Sequence, residues 1–511
     1  MVKKTLDEQI DEEIKREELN ATKEKHRIRY VASFPNLVDL VENENGDLEF
    51  LVFDSTSKKS TTTPTIEIDG KGYQPPPRSS LPKNLTFPRK EQVNHWIHEK
   101  NTTGYLEDHS ISNHPHVGDD SDDIDDIDKV TIYKTSMWDV ALYGDIIDYY
   151  KERAELPEEG LYDVCTLWAF HTYAMERANF SPIVYFLGLP EKGKSRMLKA
   201  MTYIARRGIR KISLTDAQIL RDCTHLDATL AMDMMNLWKK IDLAGSEDVF
   251  LNRPERGIDV SRVNRPDKGA FQDTDYYIVF GPTIFATNEL IDEILETRSI
   301  PIIMKKAKKE YNNEVTAQGG LEIKEKLTAW RACTMGDTWP EFGRIAQSRL
   351  GDLTKPLYQL VQMVNPARIE DVKKTIARIA ERRIKEKADN FSGQILQSLV
   401  RSRELVEHGY LKSQKVADEF NKDKTDREKI SSRKILNRLK TMGFESTTAH
   451  GGNMAVIWNQ ELIDALIDEF GLETLINNDI LSPIPKTSTS PPNVTQRELY
   501  YADLADKEEK D

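Results

Sequence analysis

Residues 183–207 read IVYFLGLPEKGKSRMLKAMTYIARR, and this run decides the fold. Five apolar residues predict a buried strand. Gly188-Leu189-Pro190-Glu191-Lys192-Gly193-Lys194-Ser195 then fits GxxxxGK[ST] without a mismatch, and a helical pattern follows from Ser195. Strand, glycine loop and helix in that order are what a phosphate-binding loop requires. Gly188 and Gly193 let the backbone curl until its N–H groups face phosphate oxygens. The helix N-terminus adds the positive end of its dipole. Residues Gly188 to Ser195, with Arg196, are therefore the expected nucleotide-binding segment for ATP with Mg²⁺. Lys194 is expected to reach the β- and γ-phosphates, and the Ser195 hydroxyl to ligate the metal.

A phosphate loop needs an acidic strand end to hold Mg²⁺. RKISL (210–214) predicts another strand, DAQILRDC (216–223) a helix, and TLAMD a strand that ends at Asp233, the expected metal-holding carboxylate. A further strand, GPTIFATN, ends at Asn288, a polar tip able to orient a water against the γ-phosphate. Arg298, in ETRS before the strand SIPIIM, stands at a helix end. Alternating strands and helices from 183 to about Met304 predict an α/β domain, a parallel sheet with helices on both faces.

The chain has 511 residues and a net charge of −13. Length alone suggests two to four domains, with cores large enough to need no disulfide or metal staple. Cys165, Cys223 and Cys333 lie far apart and show no zinc-ligand spacing. No apolar stretch approaches the ~20 residues needed to span a bilayer. The reading is a soluble cytoplasmic protein without membrane contact. Much of the acidity falls in segments that need not touch a ligand, such as the seven aspartates between Asp119 and Asp128.

The expected organisation is a charged tail or helix (1–28), a small β-rich module with a Pro-rich connector (29–100) and an acidic linker (101–134). A helical lead-in (135–182), the nucleotide-binding core (183–318) and a helical lid (319–390) follow. A DNA-binding domain (391–475) and a disordered tail (476–511) end the chain.

In 393–474 the pattern is three helices followed by two β-like runs around His450-Gly451-Gly452-Asn453, which predicts a winged helix. Ser431 or Ser432 can cap the third helix, and Gly443 can end it. Between Lys412 and Lys440 ten Lys+Arg stand against five Asp+Glu, a local +5. Lys429, Arg433, Lys434, Arg438 and Lys440 lie on or beside the third helix and are the expected DNA contacts. The alternative for this unit is a protein-docking module with a solvated basic face.

With GLPEKGKS, TLAMD, IFATN and ETRSIPI in order, the stretch 135–385 resembles an AAA+ ATPase. More narrowly it is similar to the helicase and primase-helicase ATPases of archaeal and bacterial plasmids, viruses and integrated elements. FLNRPERGIDVSRVN, FGPTIFATNE and VASFPNLVDLV carry that narrower likeness. The resemblance implies a homo-oligomeric ring, a hexamer being favoured, that couples ATP hydrolysis to movement on DNA during replication of a mobile element. It casts Lys194, Asp233, Asn288 and Arg298 as catalytic, with Arg298 a finger reaching the ATP of a neighbouring subunit. The residue after Asp233 is Met234, where such enzymes carry the glutamate that polarises the attacking water. Glu247 or Asp248 could substitute, or the chain could be an ATP-switched DNA-binding assembly factor with weak hydrolysis. Arg349, in QSRLGDLTKPL, is either a second arginine toward the γ-phosphate or a surface arginine.

Overall fold

The computed structural model describes residues 29–106 and 135–472, except 214, 270, 290, 342–347, 427, 450, 451 and 453. The expected N-terminal tail, most of the acidic linker and the disordered tail lie outside these residues. The chain forms two compact units, one up to Ile376 and one from Ala377.

The first unit opens with three antiparallel strands, β1 (Leu37–Glu42), β2 (Leu48–Asp54) and β3 (Lys59–Thr63), in the order β1-β2-β3. The turn NENGD joins β1 to β2. The Asn43 side chain accepts from the backbone N–H groups of Asn45 and Asp47, and Gly46 supplies φ +82°. A small hairpin follows, β4 (Ile66–Ile68) with β5 (Lys71–Tyr73).

The strands of the expected N-terminal module (29–100) share a buried cluster with the sheet that follows. Leu37, Leu40, Phe50, Leu85 and Phe87 belong to the same buried cluster as Ile183, Leu230 and Phe285. Asp39 is buried with them and accepts from Arg207 Nε at 2.8 Å. Burial alone would raise its carboxyl pKa, but Arg207 and Arg206 hold it below the usual range. The expected lid (319–390) begins in the same unit. Its first helix, Leu321–Thr334, is a core element packed on the helix Lys90–Thr102 and on β1 and β3. Arg331 on that helix donates from Nε to Val38 O (2.8 Å) and from Nη2 to Leu37 O (3.0 Å). The helix Ser348–Val364 packs on Gly160–Thr172, one of the two lead-in helices, the other being Met137–Lys151.

The central sheet has five parallel strands. They are β6 (Ile183–Leu187), β7 (Gly208–Lys211), β8 (Thr229–Asp233) and, past a hairpin of β9 (Asp259–Val263) with β10 (Thr274–Ile278), β11 (Thr283–Thr287) and β12 (Ser299–Ile303). Their order is β12-β6-β11-β8-β7. IVYFL, TIFAT and SIPII are nearly continuous apolar runs because a parallel strand covered on both faces has no solvent side. Pro301 is tolerated because β12 is an edge strand. The hairpin β9–β10 interrupts the strand–helix alternation expected up to Met304.

The second unit runs through a helix (Phe391–Arg401), β13 (Tyr410–Lys412), two helices (Ser413–Phe420 and Ser432–Thr441), β14 (Ser446–Thr448), β15 (Met454–Ile457) and a last helix (Gln460–Glu469). The strands form an antiparallel sheet in the order β13-β15-β14. Ile395, Leu399, Leu411, Val416, Ile435, Leu439, Val456 and Ile463 share its core. Of the two candidate caps, Ser431 caps the third helix, accepting from Lys434 N. Gly443 ends it at φ +97°, with Phe444 N donating to Leu439 O and Gly443 N to Lys440 O. The strand β13 and the last helix are additional to the three helices and two β-like runs that the spacing predicts. The hairpin tip His450-Gly451-Gly452-Asn453 lies outside the described residues except for Gly452.

Candidate nucleotide site at the carboxyl edge of the parallel sheet

After β6 the chain builds β7, β8 and β11 on one side and then crosses back to place β12 on the other. This reversal makes β6 the switch point of the sheet, and in open α/β sheets ligands bind beyond the carboxyl ends of the strands at such a point. The phosphate loop leaves β6 there. Gly188 sits at φ +155°, and a Cβ on it would lie 2.9 Å from Met304 O, so only glycine lets the loop pass β12 so closely. Gly193 adopts φ +82° immediately before the helix Lys194–Ile204. No side chain caps that helix N-terminus.

Lys194 is buried, and its Nζ donates to Gly188 O and Leu189 O, both at 2.6 Å. Burial lowers its pKa, and the Asp233 carboxylate offsets part of that effect, which places the two side chains in one electrostatic neighbourhood. Ser195 is exposed on the first turn. Leu189 and Glu191 are exposed at the loop tip, with Pro190 between them and Lys192 half-buried, and Glu191 takes the left-handed φ of +62°. Arg196 turns away to the loops behind. Its Nε donates to Arg153 O at 2.9 Å and its Nη2 to Asn313 O at 2.5 Å. It is a strap for the helix start.

The register brings the distant carriers to this edge. Ala286 of β11 pairs with Asp233 of β8, and Thr287 with Leu187 of β6. Asn288 therefore leaves β11 beside the point where Gly188 leaves β6. Asp233 and Ser195 offer two hard oxygen donors, a set that suits Mg²⁺ alongside phosphate oxygens. Met234 follows the last residue of β8, is 5% exposed and belongs to the same buried cluster as Met232 and Leu237.

Sequence reasoning missed the pair at the tip of β11. Glu289 follows Asn288, and its backbone carbonyl accepts from the Tyr185 hydroxyl of β6 at 2.7 Å. With its amide nitrogen turned to the carboxylate, Asn236 donates to both Glu289 oxygens, at 2.7 Å to Oε2. The two substitutes considered for Met234 differ. Asp248 is held by Arg262, at 2.8 and 3.0 Å, whereas burial and then Asp242, Asp292 and Asp248 raise the carboxyl pKa of Glu247.

Arg298 lies elsewhere. It precedes Ser299, which pairs with Ile183 at the start of β6, so it stands at the amino edge of the sheet. Burial lowers its pKa, and the neighbouring Arg349 adds to the effect. Arg349 pairs with Glu255 at 3.2 Å, next to Arg298.

In the second unit Arg433, Lys434 and Lys440 are exposed on the third helix. Arg438 is half-buried and donates to Ser392 Oγ at 2.6 Å, and Lys429 pairs with Asp426 at 2.7 Å. Among the described residues the three cysteines are free, no metal-holding cluster of acids, His or Cys occurs, and no helix is long and apolar enough to cross a membrane.

No family model and no curated protein matches the chain. Solved structures that resemble it include the following two. One is the A-form apo structure of the NrS-1 C-terminal region, at 9% identity and a TM-score of 0.31, covering 82% of this chain and 96% of that one. The other is SCCmec type IV Cch, titled an active helicase, at 11% identity and a TM-score of 0.31, covering 84% of this chain and 81% of that one.

Proposed function

We propose that the chain is an AAA+-like, ATP-driven helicase or translocase on DNA, acting as a homo-oligomeric ring and serving replication of a mobile element. ATP occupies the phosphate loop. Lys194 exchanges its two loop carbonyls for β- and γ-phosphate oxygens. Ser195 and Asp233 hold Mg²⁺, which would neutralise phosphate charge as the γ-phosphoryl departs. Asn288 orients water at the γ-phosphate.

The observation that carries the DNA half is the hairpin β9–β10. It is inserted between β8, which ends in Asp233, and β11, which leads to Asn288. Its tip presents Phe271, fully exposed, with Arg265 and Lys268 on the same connection. An exposed ring with Lys268 on the same connection suits stacking on an unpaired base near its phosphates, while Arg265 is paired with Asp275 at 3.1 Å. Strands that carry the nucleotide site at one end thus carry a nucleic-acid contact on their connection. The second unit, read as a winged helix with Arg433, Lys434 and Lys440 outward, adds a duplex contact.

The test is steady-state ATP hydrolysis with and without single-stranded DNA. The parent is expected to be stimulated. Phe271→Ala should keep the DNA-free rate and need roughly tenfold more DNA for half-stimulation, the scale of one lost base stack. Lys194→Ala should bind no ATP. A parent with no DNA affinity and no stimulation removes the motor reading. The burial of Met234 favours the second reading, an ATP-switched assembly factor, for which the parent binds both ligands with little turnover.

A further inference from the structure

Met234 leaves the site without its expected carboxylate, yet the carboxyl edge of the sheet carries one on another strand. Glu289 stands at the tip of β11, the strand between the phosphate-loop strand and the Asp233 strand. Two contacts fix it. Tyr185 of β6 anchors its backbone carbonyl at 2.7 Å, and Asn236, from the turn after β8, donates to its carboxylate.

Asn236 is unusual in its own place. It precedes the helix Leu237–Leu243 in the left-handed region, at φ +50°, but its side chain does not cap that helix. Asparagine at such a position ordinarily bonds to the helix backbone. Here the amide reaches across to β11 instead.

We propose that Glu289 is the carboxylate that polarises the attacking water, and that Asn236 is the positioning residue that aims it. The proposal rests on the reading of the phosphate loop as an ATP site. The water oxygen bonds to the γ-phosphorus as the bond from that phosphorus to the β–γ bridging oxygen breaks. ADP leaves with that electron pair, and the water proton passes to Glu289 and from there to solvent. ATP and water become ADP, phosphate and a proton.

The experiment measures two quantities on the full chain: affinity for a fluorescent ATP analogue with Mg²⁺, and kcat for ATP. Glu289→Gln keeps size and one acceptor oxygen. It should bind the analogue as the parent does and lose about 100-fold or more in kcat, the scale of a general base. Asn236→Asp keeps shape and tolerates the left-handed backbone but sets a like charge against Glu289. It should lower kcat roughly tenfold or more with affinity unchanged. The double variant should lose no more than Glu289→Gln alone, because the aspartate acts only through Glu289. Glu247→Gln should retain the parent rate.

Parent-like turnover by Glu289→Gln overturns the proposal, and so does loss at Glu247→Gln in its place. Losses that multiply in the double variant overturn the role of Asn236. A Glu289→Gln chain that no longer binds the analogue assigns Glu289 to binding and also overturns it. A parent that binds no nucleotide refutes the phosphate-loop reading itself, which the affinity arm detects separately. A parent that binds but never turns over refutes the Glu289 step alone.

Discussion

Met234 and Asp233 are neighbours in sequence, yet Asp233 ends β8 half-buried while Met234, the next residue, is buried in the cluster that holds Met232 and Leu237. Restoring a glutamate at that position therefore does not repair the site. Met234→Glu buries a carboxylate among Met and Leu side chains and should cost on the order of 3–5 kcal/mol of stability, as an uncompensated buried charge does. Met234→Leu, nearly volume-conserving, should cost less than about 1.5 kcal/mol. Denaturant midpoints of the two variants measure the difference. A glutamate variant as stable as the parent, with faster turnover, would show that the side chain can reach the edge after all. The same residue scale sets what the sequence made legible. Lys194 and Ser195 are readable because loop and helix start are contiguous. Glu289 with Asn236 is not, because their meeting depends on the order of β8 and β11 in the sheet.

The third helix of the second unit shows how far one element can be read. SSRKILNRLKTMG announces its cap, its apolar stripe and its glycine stop, and all three stand where the spacing put them. The five basic residues read from it are not equivalent once packed. Arg438 is engaged by Ser392 and Lys429 by Asp426, while Arg433, Lys434 and Lys440 face solvent. Arg433→Ala with Lys434→Ala in the full chain should weaken duplex DNA binding and leave ATP affinity unchanged. Each lost phosphate contact should flatten the slope of log affinity against log salt by roughly 0.7 to 0.9. DNA titrations at several salt concentrations give that slope. An unchanged slope would make this face a protein-docking surface. The hairpin β9–β10 marks the limit at this scale. Its period-two strands are short and half-exposed, so their pattern merges with the helix and strand on either side.

At the scale of the whole molecule, Arg298 and the phosphate loop occupy opposite ends of β6 and β12. Five residues of strand, at about 3.3 Å each, put roughly 15 Å between the two edges, beyond the reach of one side chain. Arg298 cannot serve its own phosphate loop, so any role at a γ-phosphate must be in a second copy of the chain. Mixing Arg298→Ala subunits with Lys194→Ala subunits should then recover part of the ATPase activity that each lacks alone, at interfaces pairing an intact arginine with an intact loop. Activity is measured against mixing ratio, with co-assembly checked separately. Mixed oligomers that never regain turnover would reduce Arg298 to a structural residue. Arg349, beside Arg298 and paired with Glu255, shares that edge.

The sequence by itself determined whatever is written in adjacent residues. The glycine loop between its strand and helix, the apolar runs of the parallel strands, and the capped basic helix all follow from local spacing and backbone preference. Tertiary structure alone decided which segments share a core and which side chains share an edge. The N-terminal strands had the look of an independent module, but Asp39 draws in Arg207 from the turn before β7, and Leu321–Thr334 closes over them. Strand order brought Glu289 to Asn236, because lateral neighbours in a parallel sheet are set by crossover connections and not by distance along the chain.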